Sequence, residues 1–475
     1  MKALIIADDL TGAADTGVKF TACGPIDLIN AGPRQGNALP QFSGGLNVSA
    51  ACEDKSGLAP WGLAVATETR NAPAEDVPEA LAGAAALSGD SPPDFIYKKI
   101  DSCLRGHVGL ELKYLVENLS YRAALVAPAY PAFKRVTKNG LHYIDGRPVS
   151  ETELANDPIR PVRDSRLAKV IADGHELPVH GLALELVRQG SQALLKEVER
   201  RLQSEERCLF ALDAENDADL DIVAEAGLEA KDRLILAGSA GLAEALARRL
   251  SPGPPEADPA MPRRGNAPPQ FSGGLDVSAG NGLDSPLTAI KRRPGPILFF
   301  GGSASETLRE QLQRLALDWE AEILTLNPAD LMAGREPAMP DVADGQTLVI
   351  NLPRPGPRRG NAPPQLGGDL NVSAGNEHDS LLTAKQAPWS SLDLIAAFGR
   401  RAAAVIHQLK PGAIFLSGGD TARAVLEALD ISRLHIKAEI RPGVVLLSHR
   451  DMAVVTKSGT FGEAGLLSEV RRLLG

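Results

Sequence analysis

The sequence predicts an α/β protein with two doubly wound domains, and three observations lead to this fold class. Short apolar runs bounded by turn residues alternate with helical patterns, as in a parallel sheet covered by helices on both faces. The first run, 2–7, leads directly into polar residues and an alanine-rich helical pattern. A Pro-rich break at 251–264 separates two such series, so we expect domains at 1–250 and 251–475.

The first half of the chain is organised around its first strand and the turn that follows it. Asp8 and Asp9 come directly after this strand, and open α/β sheets place their ligands at the carboxyl ends of strands. Thr11 and Gly12 then begin a helix, whose free N–H groups lie beside the two carboxylates and can receive an anion. The alternative interpretation is that Asp9 or Thr11 only caps this helix.

The other elements continue the alternation along the chain. In the first half we expect strands at 26–30, 63–66, 95–98, 124–128, 208–212 and 234–237, and helices at 80–87, 109–119, 177–201 and 241–250. In the second half we expect strands at 297–300, 322–326, 347–351, 413–416 and 443–447, and helices at 305–316, 393–409 and 421–428. Both series alternate in the way that a doubly wound sheet requires.

One segment rich in Gly, Pro, Asn and Ser occurs three times, at 34–55, 263–291 and 358–385. The copies are separated by unequal distances, whereas a solenoid needs adjacent copies at a fixed period. We interpret them as surface-loop insertions, which are tolerated because lengthening a loop adds little closure entropy. Three copies of a binding motif are the alternative, which is disfavoured because the copies carry few charges.

Charge and cysteine content exclude several classes of protein. The formal net charge of −10 argues against a general nucleic-acid or anionic-membrane surface, so local donors must hold any anionic ligand. Cys23, Cys52, Cys103 and Cys208 lack the spacing of a zinc site or a disulfide framework. The N-terminus lacks the regions of a signal peptide, and no apolar stretch has spanning length. We therefore expect a cytoplasmic protein with small-molecule partners, no nucleic acid and no membrane.

Polar residues after two further strands of the first half indicate a hydroxy-acid site. The loop after the 95–98 strand carries Lys98, Lys99, Asp101, Ser102 and Arg105. Arg105 can fork onto a carboxylate, and Asp101 can accept hydrogen bonds from hydroxyls. Arg70 follows the neighbouring strand, so the cleft rule brings it to the same sheet edge as Asp8 and Asp9. A plain solvated loop is the alternative, although a carboxylate beside a sugar hydroxyl is also the general base that a kinase needs.

Three Gly-rich turns follow strands in the second half, at 301–305, 417–421 and 457–462. Small residues let backbone N–H groups approach phosphate oxygens closely, and Lys457 adds a positive charge. Together these turns favour a nucleotide site over structural turns. The sequence has neither a Walker A motif nor GxGxxG, which argues against a P-loop enzyme and a typical dinucleotide fold. His175 and His180 are one residue too far apart for a metalloprotease helix, which Pro178 would also break.

Taken in order, the motifs resemble those of the four-carbon acid sugar kinase family. They are IADDLTGAAD, TETR, KKIDSCLRG, APAYPAFKR with HYIDGRPVSETELANDP, GSAGLAEALA, GGSASETLREQ, SGGDTA and KSGTFG. The resemblance covers nearly the whole chain except the three insertions, and the combination is highly specific. The sequence departs from the family pattern at Cys103, His107 and Thr460, where the family usually has Thr, Asn and Asn.

The resemblance implies Mg-ATP-dependent phosphorylation of threonate, erythronate or a 3-oxo-tetronate, in a cleft between two α/β domains. Residues expected to contact the acid are Asp8, Asp9, Arg70, Lys98, Lys99, Asp101, Ser102 and Arg105. Residues expected to contact ATP are Ser303, Ser417, Gly418, Gly419, Asp420, Lys457 and Gly459. We expect Asp9 to act as base or to orient the hydroxyl, with Asp8 its nearest substitute, and Arg70 or Arg105 to hold the carboxylate.

Two rival functions stay open at this point, and a homodimer is also considered. A nicotinamide-dependent hydroxy-acid oxidoreductase is disfavoured by the missing dinucleotide fingerprint. A regulatory protein would bind the acid and the nucleotide without turnover. The insertions must leave the active-site cleft open, so we expect all three at the periphery and dispensable.

Overall fold

The mixed α/β fold predicted from the sequence is confirmed by a computed structural model, in which helices accompany sheets of mainly parallel strands. The structure describes residues 1–32, 60–89, 92–157, 159–251, 293–302, 305–335, 337–352, 389–459 and 461–475. All three segments interpreted as insertions lie outside these residues, so their peripheral position stays a prediction. Within the described ranges, no helix is long and apolar enough to cross a membrane.

The central strands of the sheets are buried along nearly their whole length, as parallel strands covered on both faces are. The strands of the described residues are β1 (Ala3–Ala7), β2 (Ile26–Asn30), β3 (Gly62–Ala66), β4 (Phe95–Lys99), β5 (Ala123–Ala127), β6 (Arg135–Lys138), β7 (Leu141–Ile144), β8 (Arg147–Pro148), β9 (Val179–Leu182), β10 (Cys208–Leu212), β11 (Leu234–Gly238), β12 (Ile297–Gly301), β13 (Glu322–Thr325), β14 (Thr347–Asn351), β15 (Ala413–Ser417), β16 (Arg433–Arg441), β17 (Val444–His449) and β18 (Met452–Lys457).

Several helices begin at a side-chain cap, such as Asp9 before the first helix and Ser390 in a capping box. The helices of the described residues are α1 (Leu10–Gly17), α2 (Val77–Ala86), α3 (Val108–Asn118), α4 (Leu167–Ile171), α5 (Leu184–Val187), α6 (Ser191–Leu202), α7 (Asp217–Glu229), α8 (Ala240–Leu250), α9 (Glu306–Trp319), α10 (Pro328–Met332), α11 (Ser391–Leu409), α12 (Gly419–Ala428) and α13 (Leu466–Leu473). Short 3₁₀ helices lie between them, the first at Val18–Ala22.

One compact unit contains the described residues of Met1–Leu283 together with Arg433–Arg441. Its sheet has the order β16-β2-β3-β1-β4-β11-β5-β10-β9, and only the β16–β2 pair is antiparallel. After β1 the chain turns to β2 and β3 on one side, and it then passes to β4 on the other side. The strand order therefore reverses around β1, which is where doubly wound sheets form their ligand crevice.

The same unit carries a small antiparallel sheet, β6-β7-β8, that the sequence analysis missed. Two-residue turns join its strands, at Asn139-Gly140 and at Asp145-Gly146, and all four turn residues have positive φ angles. Asn-Gly and Asp-Gly are the strongest short-range hairpin signals because both turn residues must adopt positive φ. The signal was therefore present in the sequence.

The second unit comprises the described residues of Asp284–Ser432 and Pro442–Gly475. Its sheet has the order β13-β14-β12-β15-β18-β17, in which only the β17–β18 pair is antiparallel. The strand order reverses around β12 in the same way as around β1. A second crevice position therefore lies at the carboxyl ends of β12, β14 and β15.

The secondary-structure prediction is also wrong in other places. The stretch 177–201 is not one helix, because Val179 pairs with Leu209 as the edge strand β9, and Gly190 with a φ of 102° separates α5 from α6. Strands β16 and β18 and helices α4, α7, α10 and α13 were not predicted. Leu434 of β16 pairs with Leu28 of β2, a partner too distant in sequence for local patterning to reveal.

Candidate active site

Asp9 lies at the turn between β1 and α1, and it is the N-cap of the helix. Its carboxylate accepts hydrogen bonds from the Gly12 backbone N–H at 2.9 Å and from the Thr11 hydroxyl at 2.6 Å. The capping role considered for Asp9 in the sequence analysis is therefore present. It also fixes the direction in which the chain leaves the sheet beside Asp8.

Arg70 joins the two carboxylates, as the convergence of strand ends predicts. Its guanidinium donates to Asp8 at 2.7 and 2.9 Å and to Asp9 at 2.7 and 2.8 Å. Burial would raise the pKa of Asp8, but the Arg70 charge outweighs it, and the pKa lies below its usual value. Asp8, Asp9 and Arg70 form a closed ionic cluster.

The bonds within this cluster bear on the roles predicted for its members. Four of the five N–H groups of Arg70 are used. Asp9 accepts four hydrogen bonds, which occupy the lone pairs that a general base would need. The base role of Asp9 and the clamp role of Arg70 stay predictions, and the geometry favours a structural role for both residues.

Lys98 and Lys99 lie on opposite faces of the sheet, because successive side chains of a strand alternate. The Lys98 ammonium is fully buried and lies 3.1 Å from the Glu111 carboxylate of α3. Burial raises the pKa of Glu111, while Lys98 opposes that rise. The predicted contact between Lys98 and the acid thus has no support in this conformation.

Lys99 faces α1 instead, on the side of the sheet where the first helix lies. A Cβ atom on Gly12 would come within 3.2 Å of the Lys99 Nζ, so the small residue leaves room for the ammonium. Lys99 is 5% exposed. In the described part of the chain, its ammonium has neither a hydrogen bond nor an ion pair. Lys99 is therefore a buried positive charge that a ligand could neutralise.

The loop after β4 holds Asp101 and Arg105 together. The Arg105 Nε donates to Asp101 at 2.6 Å, and its Nη1 lies 3.7 Å from Asp157. Burial would raise the pKa of Asp101, but Arg105 and Arg70 hold it well below the usual range. The Arg105 side chain is still 26% exposed, so its outer N–H groups can reach an anion. Among the predicted clamps, Arg105 has the more accessible guanidinium.

Two residues of the β6–β7 hairpin support this loop and were missed by the sequence analysis. Arg135 donates from Nη1 to the Ser102 hydroxyl, and His142 donates from Nε2 to the Ser102 carbonyl at 2.8 Å. The second ring nitrogen of His142 lies 3.0 Å from the Thr137 hydroxyl. Burial lowers the pKa of His142 to about 4, so the imidazole is neutral. The hairpin thereby positions Ser102.

The predicted nucleotide residues of the second unit lie at one level across three neighbouring strands. Gly301 of β12 pairs with Ser417 of β15, which in turn pairs with Lys457 of β18. Gly418, with a φ of 98°, is the N-cap of α12, whose first turn contains Gly419 and Asp420. The amino end of this ten-residue helix directs backbone N–H groups outward, and such helix ends can bind an anion.

Lys457 occupies a different position from the one its charge suggested. Its fully buried ammonium donates to the carbonyls of Ser458, Gly459 and Phe461 at 2.9, 3.3 and 2.9 Å. Burial lowers the pKa of Lys457 to about 7. The side chain of Gln311 also donates to the turn, including 3.0 Å to Phe461. Lys457 therefore shapes the turn, and its direct contact with ATP stays a prediction.

Ser303, a predicted ATP contact, lies outside the described residues, and so does Thr460, where the sequence departs from the family pattern. Ser417 is described, and its buried hydroxyl has no hydrogen-bond partner among the described residues. An orphaned hydroxyl beside a helix amino end is consistent with a ligand that completes its bonding. Ser417 is thus the best-supported of the predicted nucleotide contacts.

A separate cluster combines His180, Glu205 and Cys208, whose ligand atoms lie within 4.8 Å of one another. His180 is hydrogen-bonded to Glu205 at 2.8 Å. Burial and Glu205 raise the pKa of Cys208 to about 12, so the thiol is protonated. The three groups therefore form a polar contact at the sheet edge without needing an ion.

Two family models match the chain. Residues 3–246 match a model described as a sugar-binding N-terminal domain. Residues 298–467 match one described as a nucleotide-binding C-terminal domain. The first match contains Asp8 to Arg105, and the second contains Ser417 to Gly459.

Curated relatives align along nearly the whole chain. A D-threonate kinase of Salmonella typhimurium is 28% identical, over 99% of this chain and 97% of its own length. A 3-oxo-tetronate kinase of Methylobacterium radiotolerans is 26% identical, over 97% of this chain and 96% of its own length. A crystal structure of a Haemophilus influenzae protein has the same fold, with a TM-score of 0.63 at 19% identity over 99% of this chain and 100% of that one.

Proposed function

This chain belongs to the four-carbon acid sugar kinase family, and from this premise we propose that it transfers the γ-phosphoryl group of ATP to a hydroxyl of a four-carbon sugar acid. The observation that carries the proposal is the set of groups around β1, β3 and β4. Lys99 and Arg105 are cations of the kind that bind a carboxylate. They lie beside carboxylates that can hold hydroxyls, which suits a small polyhydroxy acid.

We assign acid binding to residues 1–250 and ATP binding to residues 251–475. Arg105 holds the acid carboxylate, with Lys99 as the second cation. Ser102 and Asp101 face the hydroxyls, and the β6–β7 hairpin fixes the Ser102 hydroxyl in place. The ionic cluster of Asp8, Asp9 and Arg70 keeps the end of β1 rigid, so that the acid meets a preformed site.

The amino end of α12 binds the phosphates through its N–H groups, together with the Ser417 hydroxyl and the turn shaped by Lys457. Ser417 and Asp420 supply the hydroxyl and carboxylate oxygens that Mg²⁺ accepts, and these two residues would hold the ion. When bound, the ion neutralises charge on the phosphates. Ser303 and Gly459 complete the set of predicted ATP contacts.

A coupled ADP-release assay tests the proposal across the threonate and erythronate stereoisomers and 3-oxo-tetronate isomers. We expect ADP release with at least one acid and none without an acid. Folded protein that releases no ADP with any of them would refute the kinase assignment. Binding of acid and ATP without turnover would instead favour the regulatory protein, and acid-dependent reduction of a nicotinamide cofactor would favour the oxidoreductase.

A variant of Arg105 tests the acid site within the same assay. Arg105→Gln should raise KM for the acid at least tenfold and leave KM for ATP unchanged, because a clamp that binds ground and transition states equally acts through KM. Arg188→Gln is the matched control, since Arg188 also forks onto an aspartate, Asp219, elsewhere in the same unit. Equal effects of the two variants would contradict the role of Arg105.

A further inference from the structure

Asp15 is a buried carboxylate in the second turn of α1, and it differs from the other acidic residues of the site. Asp8, Asp9 and Asp101 each pair with an arginine. Asp15 is 9% exposed, and its Oδ1 is buried without a hydrogen-bond partner. Among the described residues, neither oxygen of Asp15 makes a hydrogen bond. A buried carboxylate without hydrogen-bond partners is costly in free energy. This cost is the physical reason to look for a ligand that completes the bonding of Asp15.

The charged groups around Asp15 do not satisfy it. Lys19, from the 3₁₀ helix after α1, binds Glu439 of β16 at 2.7 Å and lies 3.5 Å from Glu244 of α8. Asp15 acts on Lys19 as well, and together with Glu439 and Glu244 it raises the pKa of the Lys19 ammonium. Lys99 of β4 and Arg135 of β6 also act on Asp15 electrostatically, yet neither forms an ion pair with it in the described chain. After burial, Asp15 is the largest influence raising the pKa of the Tyr130 phenol, so this hydroxyl also faces the carboxylate. Asp15 therefore interacts electrostatically with these cations but, among the described residues, forms no hydrogen bond or ion pair with any of them.

Asp15 and Lys99 face the same side of the sheet. Asp15 is three residues after Gly12, so the two residues lie one above the other on one face of α1, and Gly12 is the residue beside the Lys99 Nζ. An unpaired buried carboxylate and an unpaired buried ammonium thus lie on facing elements without contacting each other. Opposite charges held apart in this way can bind a ligand that offers a hydrogen-bond donor to the carboxylate and an anionic group to the ammonium.

We propose that Asp15 is the general base of the phosphoryl transfer, and that Lys99 holds the acid beside it. This inference rests on the proposed function. Asp15 takes the proton from the attacking hydroxyl as that oxygen forms its bond to the γ-phosphorus. The bond between the γ-phosphorus and the bridging oxygen breaks, and ADP leaves with the electron pair. Asp15 returns the proton to solvent after the products leave.

The electrostatics of Asp15 suit this role better than those of its neighbours. Burial raises the pKa of Asp15 to about 6, against a lowering by Lys19 and with a further rise from Glu439. Arginines lower the pKa values of Asp8 and Asp101 instead. A base is most effective when its pKa lies near the working pH, and carboxylates whose environments push their pKa values apart take different roles.

The test compares Asp15→Asn with Asp9→Asn in the ADP-release assay. We expect Asp15→Asn to lower kcat by about 10²–10⁴-fold, the usual range for a lost base, while the KM for ATP is unchanged. Wild-type kcat/KM should rise with pH around 6, and this rise should be absent in the residual activity of Asp15→Asn. Asp9→Asn should lower kcat less, because its carboxylate caps α1 and binds Arg70. Asp15→Glu should recover part of the rate, which a purely structural role would not require.

Asp219→Asn is the control. Asp219 is also a buried aspartate on a helix of this unit, but its carboxylate pairs with Arg188 elsewhere in the unit. We expect its kcat to stay within threefold of wild type. A wild type that releases ADP together with an Asp15→Asn kcat within threefold would overturn the role of Asp15 alone. A wild type that releases no ADP would overturn the proposed function, and the assignment of a base with it.

Discussion

Replacing Asp15 by asparagine should stabilise the protein at pH 8 and leave it unchanged at pH 3.5. The folded state raises the pKa of Asp15 from 3.8 to about 6. The stability that this protonated group provides is fully present below pH 3.8 and is lost as the pH rises through about 6. Above that pH the folded protein carries a buried, unpaired carboxylate, whereas the neutral amide does not titrate.

The size of the stability change follows from the pKa shift of Asp15. A difference of roughly two pKa units corresponds to ~3 kcal/mol at 1.36 kcal/mol per unit. For a unit of this size that is an increase in Tm of about 6–12 °C. Differential scanning fluorimetry of wild type and Asp15→Asn from pH 3.5 to 8 measures it, and the two curves should separate as the pH rises through 6.

Asp8→Asn gives the opposite expectation and serves as the comparison. Arg70 lowers the pKa of Asp8, so removing the Asp8 carboxylate charge should destabilise the protein at pH 8. Other titratable groups, such as the neutral His142, contribute equally to the pH dependence of stability in wild type and in Asp15→Asn. Their contributions therefore cancel in the Tm difference between the two proteins. If Asp15→Asn lowered Tm at pH 8, the Asp15 carboxylate would have a stabilising partner and the reasoning would be refuted.

Four further predictions follow from the same contacts. Arg70→Lys should destabilise the protein by about 3–5 kcal/mol in chemical denaturation, because lysine cannot form bidentate hydrogen bonds with both buried carboxylates. The control Arg188→Lys should have little effect on stability. Equal effects of the two variants would contradict the closed ionic cluster. Burial lowers the pKa of His142 from 6.5 to about 4, so up to ~3 kcal/mol of stability should be lost as the pH falls from 6.5 to 4. His142→Gln should reduce that loss. If the variant loses stability with falling pH as the wild type does, His142 is not the cause. Lys457→Met should raise KM for ATP at least tenfold with KM for the acid unchanged, whereas an unchanged KM for ATP would mean that the turn does not contact the nucleotide. Deleting 34–55, 263–291 or 358–385 singly should change either KM by less than about threefold, roughly 0.7 kcal/mol; loss of activity in a folded deletion variant would show that these segments are functional.

The alternation of apolar runs and helical patterns was sufficient to predict the α/β fold, because burial on both faces imposes a continuous apolar run on each parallel strand. It also placed Asp8, Asp9 and Arg70 at one sheet edge, since the carboxyl ends of neighbouring parallel strands must meet. The Gly-rich turns after β12, β15 and β18 were identified for the same reason. Local patterning could not find β16, whose partner β2 lies about 400 residues earlier in the chain.

Which polar groups are neutralised was decided only by the tertiary structure. From the sequence alone Lys98 and Lys99 were equivalent candidates. Because successive side chains of a strand lie on opposite faces of the sheet, Lys98 pairs with Glu111 and Lys99 faces α1. The sequence also favoured Asp9 as the base, although Arg70, Thr11 and Gly12 occupy the Asp9 carboxylate in the folded chain. Asp15 carries the same side chain as Asp9 and was left unpaired by its neighbours. The type of a residue fixes its chemistry, but its pairing and pKa depend on groups that only the fold brings within a few ångströms.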